Sequence, residues 1–364
     1  MDDPVGREQG RSPTEVDDSR MPPLVVLFRS PSPELSESVL RGSSGFQPRR
    51  VPVCDFAGVV DHVSDSVYVV DAPTAQRRVD EQAPLVPQDR RRTELLNAVA
   101  YYVALPALIF VSTYDRSIGD LLSPALLAGL LVVLFTTAGL AALVHRNRNS
   151  RARRSVAIVQ SYHSNLGYLG LPLVAATFDA SVTAIASVVL GVVTLTQLPL
   201  TILVLSTLNG TDASIARELR GLATNPILAT LIAGLAVGSL RISIPSSAAT
   251  GLDAVGSLAL PVALLCVGAS LQVDAHSIDA GATAAVVALK ICLMPALVWA
   301  VFSALAVDPA TFTASVVMLG TPTAVSTFVF ANELGGDREF ASLNVFVTTL
   351  ASVATLFVLI TLVS

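Results

Sequence analysis

Ser164 to Leu173 reads SNLGYLGLPL and Leu319 to Phe328 reads LGTPTAVSTF, two clusters of Asn, Gly, Pro and Thr inside stretches that are otherwise apolar. In lipid every backbone amide and carbonyl must find a partner, so such interruptions persist only where the freed groups line a cavity or bind something. A helix that restarts at membrane depth points its first amides, and about half a positive charge, at whatever lies ahead of it. That is chemistry for a carboxylate. Asn165, the amides from Gly167 through Gly170 to Leu171, and the Thr321 and Thr323 hydroxyls are the expected anion contacts, with Asn165 acting as a helix cap in the plainer reading. Two such breaks in matching halves of one chain mark the substrate site of a secondary carrier.

Two further residues near the breaks could take part. Lys290, in KICLMP, is the only cation well inside a predicted span, where a lysine costs about 2.5 to 3.5 kcal/mol. It either snorkels to the surface or pairs with substrate or a helix end. His163 is two residues from Asn165 and is either proton-linked or a hydrogen-bonded packing residue. No Asp or Glu falls deep within a predicted span, Asp253 and Glu333 being near ends. A cation/proton antiporter, which needs buried carboxylates, is therefore disfavoured, while sodium held by unwound carbonyls stays open.

The elements that must position these residues are membrane helices. Of the 364 residues 52% are hydrophobic and 14% charged, against about 25% charged in soluble domains. The apolar runs begin at Glu94. With about 20 residues needed per crossing, nine segments qualify: 94–112, 122–144, 153–178 (broken), 183–205, 223–240, 252–271, 282–306, 309–334 (broken) and 341–363. Arg90 to Arg92, the arginines from Arg146 to Arg154, and Arg217 with Arg220 all fall on one side, expected to be the cytoplasm. Asp274 and Asp279 sit in a loop on that side and Arg241 in an outer one. Pro106, Pro261 and Pro295 are expected to kink their spans, with Tyr101 and Tyr102 packing beside the first.

LNAVAYYVALP (Leu96 to Pro106) recurs as LDAVGSLALP (Leu252 to Pro261). Ala186-Ser187 with Thr194-Leu195 recur as Ala341-Ser342 with Thr349-Leu350. The common offset of about 155 residues indicates duplication, inverted if each unit has an odd number of spans. The expected fold is an all-α polytopic membrane protein, an inverted repeat of five-helix units with nine spans visible and two broken crossover helices. Residues 94–205 form the first repeat, 206–222 a cytoplasmic linker and 223–364 the second repeat. Asn225 to Leu240 has no counterpart ahead of Leu96, so the first unit reads as lacking its first helix; MPPLVVLF (Met21 to Phe28) is too short to replace it. Residues 1–93 read as a polar extension, either a disordered tail or the product of a wrong start or shifted frame.

In order, LNAVAYYVALPALIF, SNLGYLGLPL, NPILATLIAGL, LALPVALLCVGASL and LGTPTAVSTFVFANELGGD resemble the auxin efflux carrier family in its prokaryotic branch. The resemblance covers Glu94 to Ser364. It implies ten helices in two inverted repeats, scaffold and transport subdomains, and organic anions such as auxins or dicarboxylates as cargo. By position it places the crossover asparagine on Asn165, the flexible glycines and proline on Gly167, Gly170 and Pro172, and the second crossover proline on Pro322 between Thr321 and Thr323.

An intramembrane enzyme would need paired aspartates, a Ser/His couple or a metal motif, and none is evident. Cys54, Cys266 and Cys292 and the four histidines have no metal spacing, so no metal or cofactor is expected. A channel lacks charge rings or a filter repeat. The leading expectation is a multi-pass cell-membrane carrier of small organic anions by alternating access. A non-transporting sensor or receptor, and a sodium-coupled organic-acid symporter of a related broken-helix fold, are the alternatives. Sparse aromatics near the breaks favour a small aliphatic acid; sodium or proton coupling and a homodimer stay open, and no nucleic-acid partner is expected.

Overall fold

The computed structural model describes residues 90–211, 220–270 and 279–364. Most of the predicted extension 1–93, much of the linker 206–222, and Cys54, His62, Arg217, Asp274 and His276 lie outside the described residues. Among the described residues the protein is all-helical, with fifteen α-helices, three π-helical turns and no strand. Six helices are long and apolar enough to cross a bilayer: Thr93–Thr113, Pro124–His145, Ala180–Asn209, Ser246–Ala269, Ala280–Ala304 and Arg338–Val363. The other three predicted spans appear as shorter apolar helices, Leu166–Thr177, Pro226–Ser239 and Pro309–Leu319. Two of these belong to the segments expected to be broken.

The helices in chain order are α1 (Arg90–Val99), α2 (Leu105–Thr113), α3 (Ile118–Leu121), α4 (Pro124–His145), α5 (Arg151–Tyr162), α6 (Leu171–Thr177) and α7 (Ala180–Asn209). They continue as α8 (Pro226–Ser239), α9 (Ser246–Gly256), α10 (Ala259–Ser270), α11 (Ala280–Val287), α12 (Met294–Ala304), α13 (Pro309–Leu319), α14 (Ser326–Glu333) and α15 (Arg338–Val363).

Local sequence sets the ends. Ser123-Pro124, Asn225-Pro226 and Asp308-Pro309 each put a capping side chain before a proline in the first turn, where its missing N–H costs nothing. Asp179 caps α7 by accepting from the amides of Ser181 and Val182. The Ser181 hydroxyl and those amides hold its carboxyl below the usual carboxylate range. α7 closes on Gly210 in the left-handed region, φ +70.

The π-helical turns Ala100–Ala104, Leu166–Gly170 and Ala288–Leu293 are each followed by a residue and then a proline: Pro106, Pro172 and Pro295. A proline lacks the amide for its turn and its ring collides with the carbonyl four residues back. Widening the preceding turn relieves that collision. Pro106 and Pro295 thus distort their spans as expected. Pro261 lies in the first turn of α10, and its span is interrupted just ahead of it by the short turn Ser257–Leu258 between α9 and α10.

Packing falls into two groups. α2 lies densely against α8 and α9, and α1 against α10; α7 lies against α5 and α13, α4 against α5 and α12, and α15 against α11 and α14. A Cβ on Gly238 would sit 2.1 Å from the Arg116 carbonyl oxygen, so only glycine permits that approach beside α2. In lipid this close packing, rather than hydrophobic burial alone, holds helices together. Leu350, Val353 and Phe357 of α15 form an exposed apolar stripe, suited to face acyl chains.

One face carries an ionic cluster. Arg148 and Arg153, in and just after the α4–α5 connector, reach Asp279 at 3.2 and 3.7 Å, and Arg153 reaches Asp337 at 2.9 Å. Asp279 and Asp337 also cap α11 and α15. The connector and both helix starts therefore share one side.

Candidate functional site

α5 ends at His163, and the chain runs extended before the turn Leu166–Gly170 leads into α6. α13 ends at Gly320, and Thr321 to Val325 separate it from α14. The two breaks meet. Ser164 and Thr323 form an isolated antiparallel bridge, in which the Asn165 amide donates to the Pro322 carbonyl at 2.9 Å and the Ala324 amide to the His163 carbonyl at 3.1 Å. Pro322 has no amide to strand, and its carbonyl is used. Four backbone groups released by unwinding are thereby satisfied away from water.

Side chains complete the crossing. Ser164 is the non-hydrogen-bonded residue of the bridge, so its own amide and carbonyl face outward. Gln197 of α7 takes both, its Oε1 accepting from the amide at 3.2 Å and its Nε2 donating to the carbonyl at 3.3 Å. Lys290 is fully buried. Its Nζ donates to Ser164 Oγ at 2.6 Å, the Leu319 carbonyl at 3.0 Å and Met294 Sδ at 3.1 Å. All three ammonium protons are engaged. The Leu319 carbonyl belongs to the last turn of α13, where a cation complements the negative helix end. Of the expectations for Lys290, pairing with a helix end is what the structure contains; snorkelling is corrected by its complete burial.

Behind the bridge, Gln160 of α5 donates to the Ala341 carbonyl at 2.9 Å and to Thr327 Oγ1 at 3.1 Å, and accepts from Asn344 Nδ2 at 2.9 Å. The Thr323 hydroxyl donates to the Gln160 carbonyl and the Thr321 hydroxyl to the Met318 carbonyl at 2.8 Å. Both threonines are fully buried, and both hydroxyl protons are committed inside the protein. His163 shares a 2.8 Å hydrogen bond between Nδ1 and Thr201 Oγ1, and its ring lies 6.3 Å from that of Phe330. Gln197, Gln160, Thr201 and Asn344 escaped sequence reasoning, since a single polar residue in an apolar helix carries no sign of its partner.

Asn165 stands apart from this saturation. It is 3% exposed, its side chain makes no cap hydrogen bond, and its Nδ2 has no partner among the described residues. The Leu166 amide donates to the Ser164 carbonyl and the Gly170 amide to the Asn165 carbonyl, each at 3.0 Å. The amides of Gly167, Tyr168 and Leu169 fall in the first turn of the helix, whose donors have no intrahelical carbonyl a full turn behind them. Such a helix start attracts an anion. Gly167 faces the Leu105, Leu190 and Ile227 side chains about 4 Å from where a Cβ would be, and α10 packs on the same turn. This helix start thus lies where the two packing groups adjoin. Pro172 is buried in the first turn of α6, and a Cβ on Gly170 would sit 2.9 Å from Met318 Sδ and 3.2 Å from Thr321 Cγ2. Gly170 is thus what lets α6 and the second break approach. No group of three His, Cys, Asp or Glu side chains suited to a metal ion occurs among the described residues.

The model of a family described as "Membrane transport protein" matches residues 85–360. The chain belongs to this family, that of the auxin efflux carriers. Within it, a protein of Rhizobium meliloti (strain 1021) named "Putative malonate transporter" is 27% identical over 268 residues, covering 71% of this chain and 83% of that protein. As an auxin efflux carrier family member, the protein is a multi-pass membrane transport protein.

Proposed function

We propose that this family member is a secondary carrier of small organic anions, working by alternating access at the crossing of its two broken helices. The observation that carries the reading is the start of the helix Leu166–Thr177, where the buried Asn165 Nδ2, without a partner among the described residues, precedes the first-turn amides of Gly167, Tyr168 and Leu169. Their sum suits a carboxylate in a site with little water. Gly170 and Pro172 shape this donor turn. Thr321, Pro322 and Thr323 back it from the second break, the Pro322 carbonyl and Thr323 hydroxyl spent on the crossing and the Thr321 hydroxyl on the end of α13. Lys290 serves as a positioning group, holding Ser164 and the end of α13. His163 is read as packing.

The relative named for malonate, and the aliphatic lining from Leu105, Leu190 and Ile227, favour a small dicarboxylate over an indole acid. The inverted-repeat reading with nine spans is retained: α4 is matched with the span made of α11 and α12, α5, α6 and α7 with α13, α14 and α15, and α1–α2 with α9–α10. The face bearing Arg148 and Arg153 is assigned to the cytoplasm of a cell-membrane protein. The test is uptake of labelled malonate, succinate and indole-3-acetate into proteoliposomes, with and without sodium and pH gradients. Saturable malonate uptake, competed by other small dicarboxylates, is expected. Absence of uptake for every acid under every gradient would overturn the carrier reading in favour of a sensor.

A further inference from the structure

A second feature lies away from the crossing. Ala138 and Ala142 of α4, Leu200 and Val204 of α7 and Ile158 of α5 line an apolar groove of about 410 Å³, with Arg146 and Arg154 at one end. The three walls are i, i+4 ladders: Ala138, Ala142, Arg146; Ile158, Arg154; Leu200, Val204, Leu208. The α4 and α5 ladders each end in an arginine beside the α4–α5 connector, while the α7 ladder stays apolar. Ala138 to Arg146 spans eight residues, about 12 Å of helix. This is close to the roughly 15 Å of one leaflet's hydrocarbon. Leu143, Val144 and Leu203 beside the groove are exposed apolar residues, so it opens toward lipid.

Charge distinguishes this groove from an ordinary lipid-facing furrow. Of the connector arginines, Arg148 and Arg153 are neutralised by Asp279 and Asp337. Arg146 and Arg154, which line the groove, have no carboxylate partner among the described residues. Arg154 instead donates to the Arg146 carbonyl at 3.4 Å, which holds its guanidinium over the end of α4. Two unpaired guanidiniums above an acyl-length trough match a phosphate above a hydrocarbon chain.

We propose that this groove is a binding site for a phospholipid whose headgroup carries net negative charge, its phosphate between Arg146 and Arg154 and one acyl chain along Ala142 and Val204. The full chain, delipidated in detergent, is offered phosphatidylglycerol and phosphatidylcholine with identical acyl chains in equal amounts, and retained lipid is read by native mass spectrometry. Wild type retains at least fivefold more phosphatidylglycerol. The Arg146→Gln/Arg154→Gln variant loses that preference. Ala142→Leu, which fills the trough at an exposed position and leaves both arginines, cuts phosphatidylglycerol retention at least fivefold, so the test stands if the double variant folds poorly. Equal retention of the two lipids by wild type, or undiminished preference in the folded double variant, overturns the proposal. So do displacement by soluble glycerol phosphate, which would make this a free-anion site, and a lipid-free dimer protected through the same groove.

Discussion

Lys290 Nζ lies 2.6 Å from Ser164 Oγ while also holding the Leu319 carbonyl at 3.0 Å, so one side chain from between α11 and α12 grips the first break and the helix leading into the second. Replacing it leaves a buried carbonyl and hydroxyl without a donor, each costing about 1–3 kcal/mol. Lys290→Gln should reduce the maximal uptake rate at least tenfold and lower the melting temperature. Unchanged uptake and affinity in proteoliposomes would remove Lys290 from the working site.

Asn165 has the opposite character, since its Nδ2 supports nothing inside the protein. Asn165→Ala should therefore leave membrane abundance and melting almost unchanged. It should raise the KM for substrate about tenfold or more, the loss of one hydrogen bond to a charged group being about 1.5–3 kcal/mol. Wild-type uptake kinetics in this variant would exclude Asn165 from anion contact.

Gln197 is the matching structural case. Gln197→Leu strips the amide of Ser164 of its partner and leaves the carbonyl with the Leu166 amide alone. The expected result is a melting temperature well below that of Asn165→Ala, together with poor recovery from the membrane. Normal thermal stability would show that the bridge does not depend on α7.

His163 is 2% exposed and tied to Thr201. A residue used only for packing has no proton to exchange with solvent during the cycle. His163→Gln, which keeps hydrogen-bonding capacity, should preserve the shape of the uptake profile between pH 5 and 8. A displaced limb of that profile would restore the proton-linked role.

At the start of α7, Asp179→Ala removes a cap worth about 0.5–1 kcal/mol. The Asp179 carboxyl is held low by the Ser181 hydroxyl and neighbouring amides. Its stabilisation is therefore present at neutral pH and is lost as acid takes the pH through its lowered value. The difference in melting temperature between wild type and variant should be visible at pH 7 and shrink below the ordinary carboxylate range. A gap that widens in acid would contradict this assignment.

The breaks were legible in the sequence because Gly, Pro, Asn and Thr cluster there against an apolar background, and lipid tolerates such clusters only for a reason. The pairing of Ser164 with Thr323 was legible only as the expectation that the two breaks cross. Gln160, Gln197 and Asn344 stayed hidden: in one dimension each is an isolated polar residue, and its meaning lies in a contact many residues away. Lys290 was ambiguous for a related reason, because depth along a helix does not say whether the amine points outward or toward the end of α13. Pro106 and Pro295 signalled distortion, but its form as a widened turn depends on where the displaced carbonyls settle.

The bridge has a mechanical corollary. Because the peptide links on either side of Ser164 are fastened to those around Thr323, pulling on α5 or α6 drags α13 and α14 with it. Neither half can slide alone without breaking both links in a medium that offers no replacement partners. Displacement during turnover would have to carry this knot as a single solid piece, with the compliance found at its borders with α2, α8 and α10.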